Sequence, residues 1–308
     1  MPHDHAHHHG HGHHHHHIDP SAGDRKVALA VAVNIALTFA QVVGGVISGS
    51  VALIADAMHN LSDAVALIIA FVARRVARRP ATPEMSFGYG RAEVVAALVN
   101  YTTLIVISVW LGYEALVRLI DPPEVTGWIV VALAGLALVI DLITAGLTWR
   151  MAKDSMNIRA AFLHNLADAG TSVAVIIGGA LIMLYDWRLA DPLITIAISG
   201  WILWHALSEV GPAIRILMLA APEGVAAADI ERVIGDQEAV EDVHHVHLWQ
   251  LDERRTSLEA HLVLAEGAEA TAIVAETKRR IERAFGITHA TFEIETRRSG
   301  CAGPVCGH

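Results

Sequence analysis

Three features are scarce in this chain of 308 residues: cysteine, charge and any sign of a secretion signal. The two cysteines both lie in the last eight residues, which excludes a disulfide framework. Charged residues make up 18% and hydrophobic residues 54%, a balance that excludes an ordinary soluble enzyme of this length. The N-terminus is polar and rich in histidine, so we expect no cleavable signal peptide. The composition therefore indicates an integral membrane protein.

The last 87 residues lack the apolar character of the rest and carry much of the net charge of −10. Residues 222–308 hold 16 acidic residues against 9 lysines and arginines. An acidic domain argues against nucleic acid as a partner and is compatible with cation binding. We predict four segments: a disordered His-rich tail (1–23), a six-span transmembrane domain (24–219), a cytosolic α+β metal-sensing domain (220–298) and a flexible tail (299–308).

The N-terminal tail has eleven histidines among residues 3–17. Such a segment cannot bury a core, so its composition predicts disorder and metal binding without fixed geometry. The alternative is an expression tag. Tags are usually uninterrupted runs, whereas Asp4, Ala6, Gly10 and Gly12 break this one, which favours a native tail.

Six apolar runs are each long enough to cross about 30 Å of hydrocarbon. They lie at about 27–47, 51–76, 92–116, 128–149, 160–185 and 192–207. Arginines and lysines gather in the loops on one side, with four arginines at 74–79. The positive-inside rule then predicts that both termini are cytoplasmic. A bacterial inner membrane is the expected location.

Two matching motifs lie inside these apolar runs: His59-x-x-x-Asp63 and His164-x-x-x-Asp168. Residues four apart project from one face of a helix. Ionisable groups in a membrane span are costly and are seldom there without a function. Two imidazoles and two carboxylates that converge would form a four-ligand site for a small divalent ion, above all zinc. The alternative is that each pair is a local hydrogen bond within its own helix.

Further polar residues in the spans have less certain roles. Asn34 and Gln41 share one face of the first span and are predicted to face the bundle, where Gly44 would allow a neighbouring helix to approach. Asp141 either hydrogen-bonds Asn34 or Gln41 or joins a proton path. Asp56 lies three residues before His59, and we predict that it orients the imidazole.

The cytosolic part alternates between helical and extended patterns. We predict helices at 225–237 and 268–285 and strands at 243–251, 257–264 and 288–295, which gives a small α+β domain with helices on one face of a sheet. His244 and His247 on the first strand and His261 on the second would lie close together if those strands pair.

Taken together, the motifs resemble those of the cation diffusion facilitator family, close to its zinc exporters. The resemblance covers residues 24–298 and rests on four motifs: Asp56-Ala-x-His-x-x-x-Asp63, Phe87-Gly-Tyr-x-Arg-Ala-Glu93, His164-x-x-x-Asp168 and Val243-His-x-x-His-x-Trp249. It implies an all-α six-helix transmembrane bundle with a ferredoxin-like, metallochaperone-like cytosolic domain. It also implies a homodimer and exchange of zinc for protons.

Carried over by position, the resemblance implies a transport site of His59, Asp63, His164 and Asp168. Some relatives have Asp where this chain has His59. A set of two histidines and two aspartates suits zinc, with Co²⁺ or Cd²⁺ as weaker substrates. The loop at 76–90 has no histidine, so we expect no metal site there.

The resemblance also implies metal ligands on the third cytosolic strand. The preferred cytosolic set is His244, His261 and Glu295, and the further candidates are His245, His247 and Glu293. Cys301, Cys306 and His308 have a spacing suited to a soft metal, although a free tail is equally compatible.

Three other functions compete with zinc export. An intramembrane metalloprotease would need a zinc site with a general base, typically His-Glu-x-x-His, and no such run occurs, so we predict that the chain is not an enzyme. A membrane-anchored metal sensor would not need matched ionisable pairs in two spans. An exporter of Mn²⁺ or Fe²⁺ on the same scaffold is disfavoured by the histidines.

Overall fold

The computed structural model describes residues 20–149 and 156–296. Its first part is an all-α bundle of six helices, as predicted: α1 (Pro20–Ser48), α2 (Val51–Ala77), α3 (Arg91–Ile120), α4 (Gly127–Trp149), α5 (Met156–Tyr185) and α6 (Ala190–Leu217). Its second part is α+β, also as predicted: α7 (Ala227–Gly235), β1 (Val240–Gln250), β2 (Thr256–Leu264), α8 (Ala270–Phe285) and β3 (His289–Glu295).

Within the described residues, the five helices α2–α6 are long and apolar enough to cross a membrane. The described apolar part of α1, Ala32–Ser48, is shorter. Two helices extend beyond the predicted spans: α1 begins at Pro20 rather than near residue 27, and α6 continues to Leu217 rather than ending near 207. The predicted ends followed the apolar runs, whereas a helix continues through polar residues because its backbone hydrogen bonds do not depend on them.

The core of the bundle is built by α2 through α6. Helix α4 packs along α5, α3 packs along α6, and α1 lies against α2 and α4. Leu53, Leu111 and Val175 are fully or almost fully buried where these helices meet. Large apolar side chains on the outside remain exposed, among them Phe39, Phe71, Trp110 and Ile177. An apolar exterior of this kind fits a lipid environment.

Helix α1 approaches its neighbours closely through glycine, as the sequence predicts. A Cβ atom at Gly44 would overlap the side chain of Leu133 on α4. At Gly45 it would lie 2.5 Å from Cγ1 of Ile54 on α2. Gln41, one turn earlier, is fully buried and faces the bundle.

Helix α2 begins with a cap that joins it to α6. The Ser50 hydroxyl accepts a hydrogen bond from the Leu53 backbone N–H at 3.1 Å and donates to the Asp191 carboxylate. The same carboxylate accepts the Val51 N–H at 2.9 Å. Backbone N–H groups of a first helical turn have no partner within the helix, so Asp191 satisfies part of α2 from the start of α6.

The cytosolic sheet has strand order β1-β2-β3, with β1 and β2 antiparallel and β2 and β3 parallel. Helices α7 and α8 pack on it, and Ile230, Ile281 and Leu258 are fully buried in the shared core. His244 lies directly opposite His261, and His261 lies opposite Glu293. The pairing of β1 with β2 shifts between His244 and His247, which marks a bulge.

The cytosolic domain contacts the loop between α2 and α3. The guanidinium of Arg91 donates to the Leu251 carbonyl at 3.0 Å, and that of Arg255 donates to the Phe87 carbonyl at 3.3 Å. These bonds join the start of α3 to the turn between β1 and β2.

Candidate metal sites

Helices α2 and α5 bring the two sequence motifs to one point in the bundle. His59 and Asp63 are one turn apart on α2, and His164 and Asp168 are one turn apart on α5. Because the two helices pack against each other, the faces that carry these residues meet.

The four side chains lie within contact distance across the helix interface. Nε2 of His59 is 3.3 Å from Oδ1 of Asp168 and 3.7 Å from Oδ2 of Asp63. Nε2 of His164 is 3.1 Å from Oδ2 of Asp63 and 3.5 Å from Oδ2 of Asp168. The contacts between the helices are the shorter ones, which argues against two separate pairs that each hold their own helix. One donor atom from each of His59, Asp63 and Asp168 lies within 4.8 Å of the others.

Three buried ligand atoms of this cluster make no hydrogen bond, although two of them, on His59 and Asp168, lie 3.3 Å apart. Both ring nitrogens of His59 and Oδ1 of Asp168 are buried and make no hydrogen bond. A buried polar atom without a partner costs about 1–3 kcal/mol, and such atoms are few in native proteins. A cation between the two side chains could be held by Oδ1 of Asp168 and one nitrogen of His59. His164 is 47% exposed, so the cluster is accessible from one side.

A second cluster lies on the cytosolic sheet, and it consists of the three preferred residues. Nδ1 of His261 is 2.7 Å from Oε1 of Glu295, and Nε2 of His244 is 3.5 Å from Oε2 of the same carboxylate. One donor atom of each lies within 4.8 Å of the other two. The side chains of His261 and Glu295 are 11% and 6% exposed, and that of His244 is 28% exposed.

The further cytosolic candidates surround this cluster at its outer side. Nε2 of His245 and Nε2 of His247 are 3.1 Å apart, and the rings of His245 and His261 have centroids 4.7 Å apart. The bulge places His245 in the left-handed region, with φ of +53°, where an L-residue other than glycine is uncommon. Glu293 is 3.4 Å from Nε2 of His261 but is 68% exposed.

Family models match most of the chain. The model for the cation efflux transmembrane domain matches residues 27–218, and the model for the cytoplasmic domain of cation efflux proteins matches residues 222–297. This chain belongs to the cation efflux, or cation diffusion facilitator, family. The family is one of transporters.

Relatives match over nearly their whole length. The chain is 34% identical to the "Cadmium, cobalt and zinc/H(+)-K(+) antiporter" of Bacillus subtilis, over 83% of this chain and 84% of the relative. It is 35% identical to the metal cation efflux system protein CzcD of Cupriavidus metallidurans, over 90% and 88%. It is 32% identical to the zinc transporter ZitB of Escherichia coli, over 92% and 90%.

Within this cation efflux fold, the hydrogen bonds predicted for two residues near the membrane cluster are not formed, and a place of Asp141 in a proton path stays a prediction. Asp56 does not orient His59: its carboxylate accepts hydrogen bonds from Nε2 of Gln41 at 2.7 Å and from the Thr171 hydroxyl at 2.8 Å. Asp141 bonds neither Asn34 nor Gln41. Its Oδ2 accepts from the Ser172 hydroxyl at 3.3 Å, because α4 packs along α5 more extensively than along α1.

Two residues that contact the clusters were not predicted from the sequence. The Trp201 ring on α6 stands edge-on to His59, with centroids 6.2 Å apart. It belongs to no motif, and only the packing of α6 brings it there. Asp242 lies 3.0 Å from Nδ1 of His244, and its position two residues earlier on the same strand was a signal that could have found it.

The remaining candidates fall outside the described part of the chain. They are the N-terminal histidines and the tail residues Cys301, Cys306 and His308.

Proposed function

We propose that the chain exports divalent metal ions across a membrane and binds each ion at His59, Asp63, His164 and Asp168. The observation that carries this proposal is the convergence of two imidazoles and two carboxylates at the meeting point of two spans, where three buried ligand atoms make no hydrogen bond. Two imidazole nitrogens and two carboxylates are a complete tetrahedral ligand set for zinc. The family and the names of its zinc-transporting relatives support the same function.

The charges of the site favour exchange against protons. Binding requires neutral imidazoles and ionised carboxylates, so an arriving ion displaces protons from the site. Two carboxylates then balance the two charges of the ion, which reduces the cost of holding it between apolar helices. When the site opens to the other side, reprotonation of His59 and His164 favours release. An inward proton gradient therefore drives export, as the word antiporter in the Bacillus relative's name suggests.

Zinc is the first substrate in this proposal, and cobalt and cadmium follow. The mixed nitrogen and oxygen set suits zinc, and two of the relatives are named for cadmium, cobalt or zinc. Mn²⁺ is disfavoured because carboxylate, carbonyl and water ligands suit this harder ion better than imidazole does.

The proposal includes the setting of the molecule. The chain is an integral membrane protein that acts as a homodimer, with both termini in the cytoplasm of a bacterium, and it catalyses no covalent chemistry. The matched cytoplasmic domain and the loop charges support this arrangement. Residues 24–219 form the transport domain and 220–298 the cytosolic domain. A native His-rich tail at 1–23 raises the local concentration of metal near the transport site.

The cytosolic cluster is proposed as a regulatory zinc site formed by His244, His261 and Glu295. The donor set fits zinc, because it combines two imidazoles with a carboxylate inside one ion's reach. All three residues belong to a hydrogen-bonded sheet, so binding there stiffens the strands that support the domain core.

Zinc accumulation in proteoliposomes tests the function against the sensor alternative. Vesicles with the purified chain should accumulate zinc far above vesicles without protein, and the signal should saturate with zinc. Tight zinc binding to the reconstituted protein without any accumulation would instead establish a membrane-anchored sensor.

A further inference from the structure

A large cavity lies where the cytosolic domain meets the transmembrane bundle, well away from both metal clusters. Its volume is about 1130 Å³. One wall is the cytoplasmic end of α2 with the loop that follows it, and the other is the turn between β1 and β2. Five arginines line it: Arg74, Arg78, Arg79, Arg254 and Arg255.

Most of the positive charge around this cavity is unpaired. Among the described residues, Arg74, Arg78, Arg79 and Arg254 make no ion pair, whereas Arg255 bonds Asp252 at 2.7 Å. The two other acids of the lining, Glu93 and Glu253, leave an excess of positive charge. Like charges around one cavity repel one another and attract an anion. This cavity therefore favours a negatively charged ligand.

The groups in the cavity are those that bind phosphate. Guanidinium groups form paired hydrogen bonds with phosphate oxygens, and Ser86 adds a hydroxyl to the same lining. The first residues before α3, Tyr89 and Gly90, also face the cavity. The backbone at the start of that helix contributes further positive potential.

The position of the cavity favours a phosphate carried by a lipid. Phe71 and Val72 are 69% and 54% exposed, one turn before the arginines on α2, and Val95 and Val99 are exposed on α3. Both helices thus present apolar surface to the acyl chains directly next to a cationic cavity. Basic pockets between spans on the cytoplasmic side bind acidic lipid headgroups.

We propose that this junction cavity binds the phosphate group of an anionic phospholipid. The bound headgroup bridges the end of α2 to the turn between β1 and β2. His59 and Asp63 lie further along the same helix. The negative charge of the headgroup attracts arginines of both walls and so holds the two domains together. The inference does not depend on the transport function or on either metal cluster.

The control for this inference is a neighbouring arginine outside the cavity. Arg75 is exposed at the same end of α2 but does not line the cavity. Arg75→Gln therefore removes the same surface charge as Arg78→Gln and leaves the cavity intact. Arg254→Gln tests the opposite wall. The backbone N–H of residue 254 donates to Asp252, and the substitution removes the guanidinium but keeps this bond.

The experiment is a lipid titration of the full-length protein in neutral detergent at fixed ionic strength, with the melting temperature as readout. The probes are phosphatidylglycerol, phosphatidylcholine and inorganic phosphate, each titrated separately. We expect phosphatidylglycerol alone to raise the melting temperature of the wild type in a saturable way. Arg78→Gln and Arg254→Gln should each need about tenfold more lipid for half the effect, whereas Arg75→Gln should match the wild type.

Three results would overturn the inference. Equal weakening in Arg75→Gln and Arg78→Gln would reduce the effect to general surface charge. An unchanged titration in Arg254→Gln would place the lipid outside the cavity. Equal stabilisation by inorganic phosphate, lost in the same variants, would make free phosphate the ligand and remove the lipid. The melting temperatures without lipid show whether each variant is folded.

Discussion

Asp168 offers the most direct test of the proposed site. Its Oδ1 is buried without a hydrogen-bond partner and lies 3.3 Å from His59. Burying a carboxylate costs free energy, which the imidazoles of His59 at 3.3 Å and His164 at 3.5 Å and, in the proposal, the bound ion offset. We therefore expect the side chain to serve binding rather than stability.

Replacing Asp168 by Asn should abolish transport without unfolding the protein. The amide loses the charge that balances the ion, and we expect zinc flux to fall by at least about 100-fold, the equivalent of ~3 kcal/mol. In the presence of a chelator the melting temperature should equal or exceed that of the wild type. Asp186→Asn, in an exposed loop, is the control. Near-normal flux in Asp168→Asn would remove this residue from the site.

Replacing His59 by Asp should change which metal is preferred. A third carboxylate in place of an imidazole suits harder ions such as Mn²⁺. We expect the ratio of zinc flux to manganese flux to fall by about tenfold, the equivalent of ~1.4 kcal/mol. Fluxes of both metals measured in the same vesicle preparation give this ratio directly. An unchanged ratio would show that His59 does not select the metal.

At the scale of the helices, Asp56 ties three elements together behind the site. Its carboxylate on α2 accepts hydrogen bonds from Gln41 on α1 and from Thr171 on α5. The Thr171 hydroxyl also lies 2.8 Å from the backbone carbonyl of Asp168. This network fixes the distance between the two helices that carry the ligands.

Thr171→Val should destabilise the bundle by about 1–3 kcal/mol, because it keeps the shape of the side chain and removes a donor to a buried carboxylate. Thr103→Val is the matched control, since the hydroxyl of Thr103 is exposed and donates only to its own helix at Val99. The measurement is the free energy of unfolding in detergent, followed by circular dichroism. Equal effects of the two substitutions would show that the bond to Asp56 contributes nothing.

On the cytosolic sheet, strand pairing holds the three proposed regulatory ligands. His261→Ala removes the residue that contacts both Glu295 and the His244 strand. Zinc bound per chain at equilibrium should fall by one ion. The contribution of the N-terminal histidines cancels, because the variant and the wild type both keep them. His289→Ala, an exposed residue of β3 beside Phe87, should leave the stoichiometry unchanged. No loss of zinc in His261→Ala would contradict a metal site on the sheet.

At the scale of the whole molecule, the periodicity of the sequence predicted those contacts that depend on the geometry of single helices and neighbouring strands. The meeting of His59 with Asp168 followed from helical periodicity and from the cost of ionisable groups in spans. The strand pairing of His244 with His261 followed from alternation and chain order. The family resemblance supplied the candidate ligands of the third strand, which pattern alone did not.

Contacts between distant elements were beyond sequence reasoning. Asp191 caps α2 although about 140 residues separate them, and Ser172 rather than Gln41 meets Asp141. Both depend on which helices are neighbours in the bundle. The bulge that turns His245 toward His261 likewise arises from the pairing of the strands and not from the residues of β1 themselves.

In proton-coupled export, the ion moves outward as protons move inward through one site. The direct measurement follows zinc uptake and lumenal pH together in proteoliposomes with an acidic interior. We expect zinc to enter while the lumen becomes alkaline in proportion, and both signals to vanish in Asp168→Asn. Zinc uptake at the same rate with and without the gradient, with no proton movement, would contradict proton-coupled export.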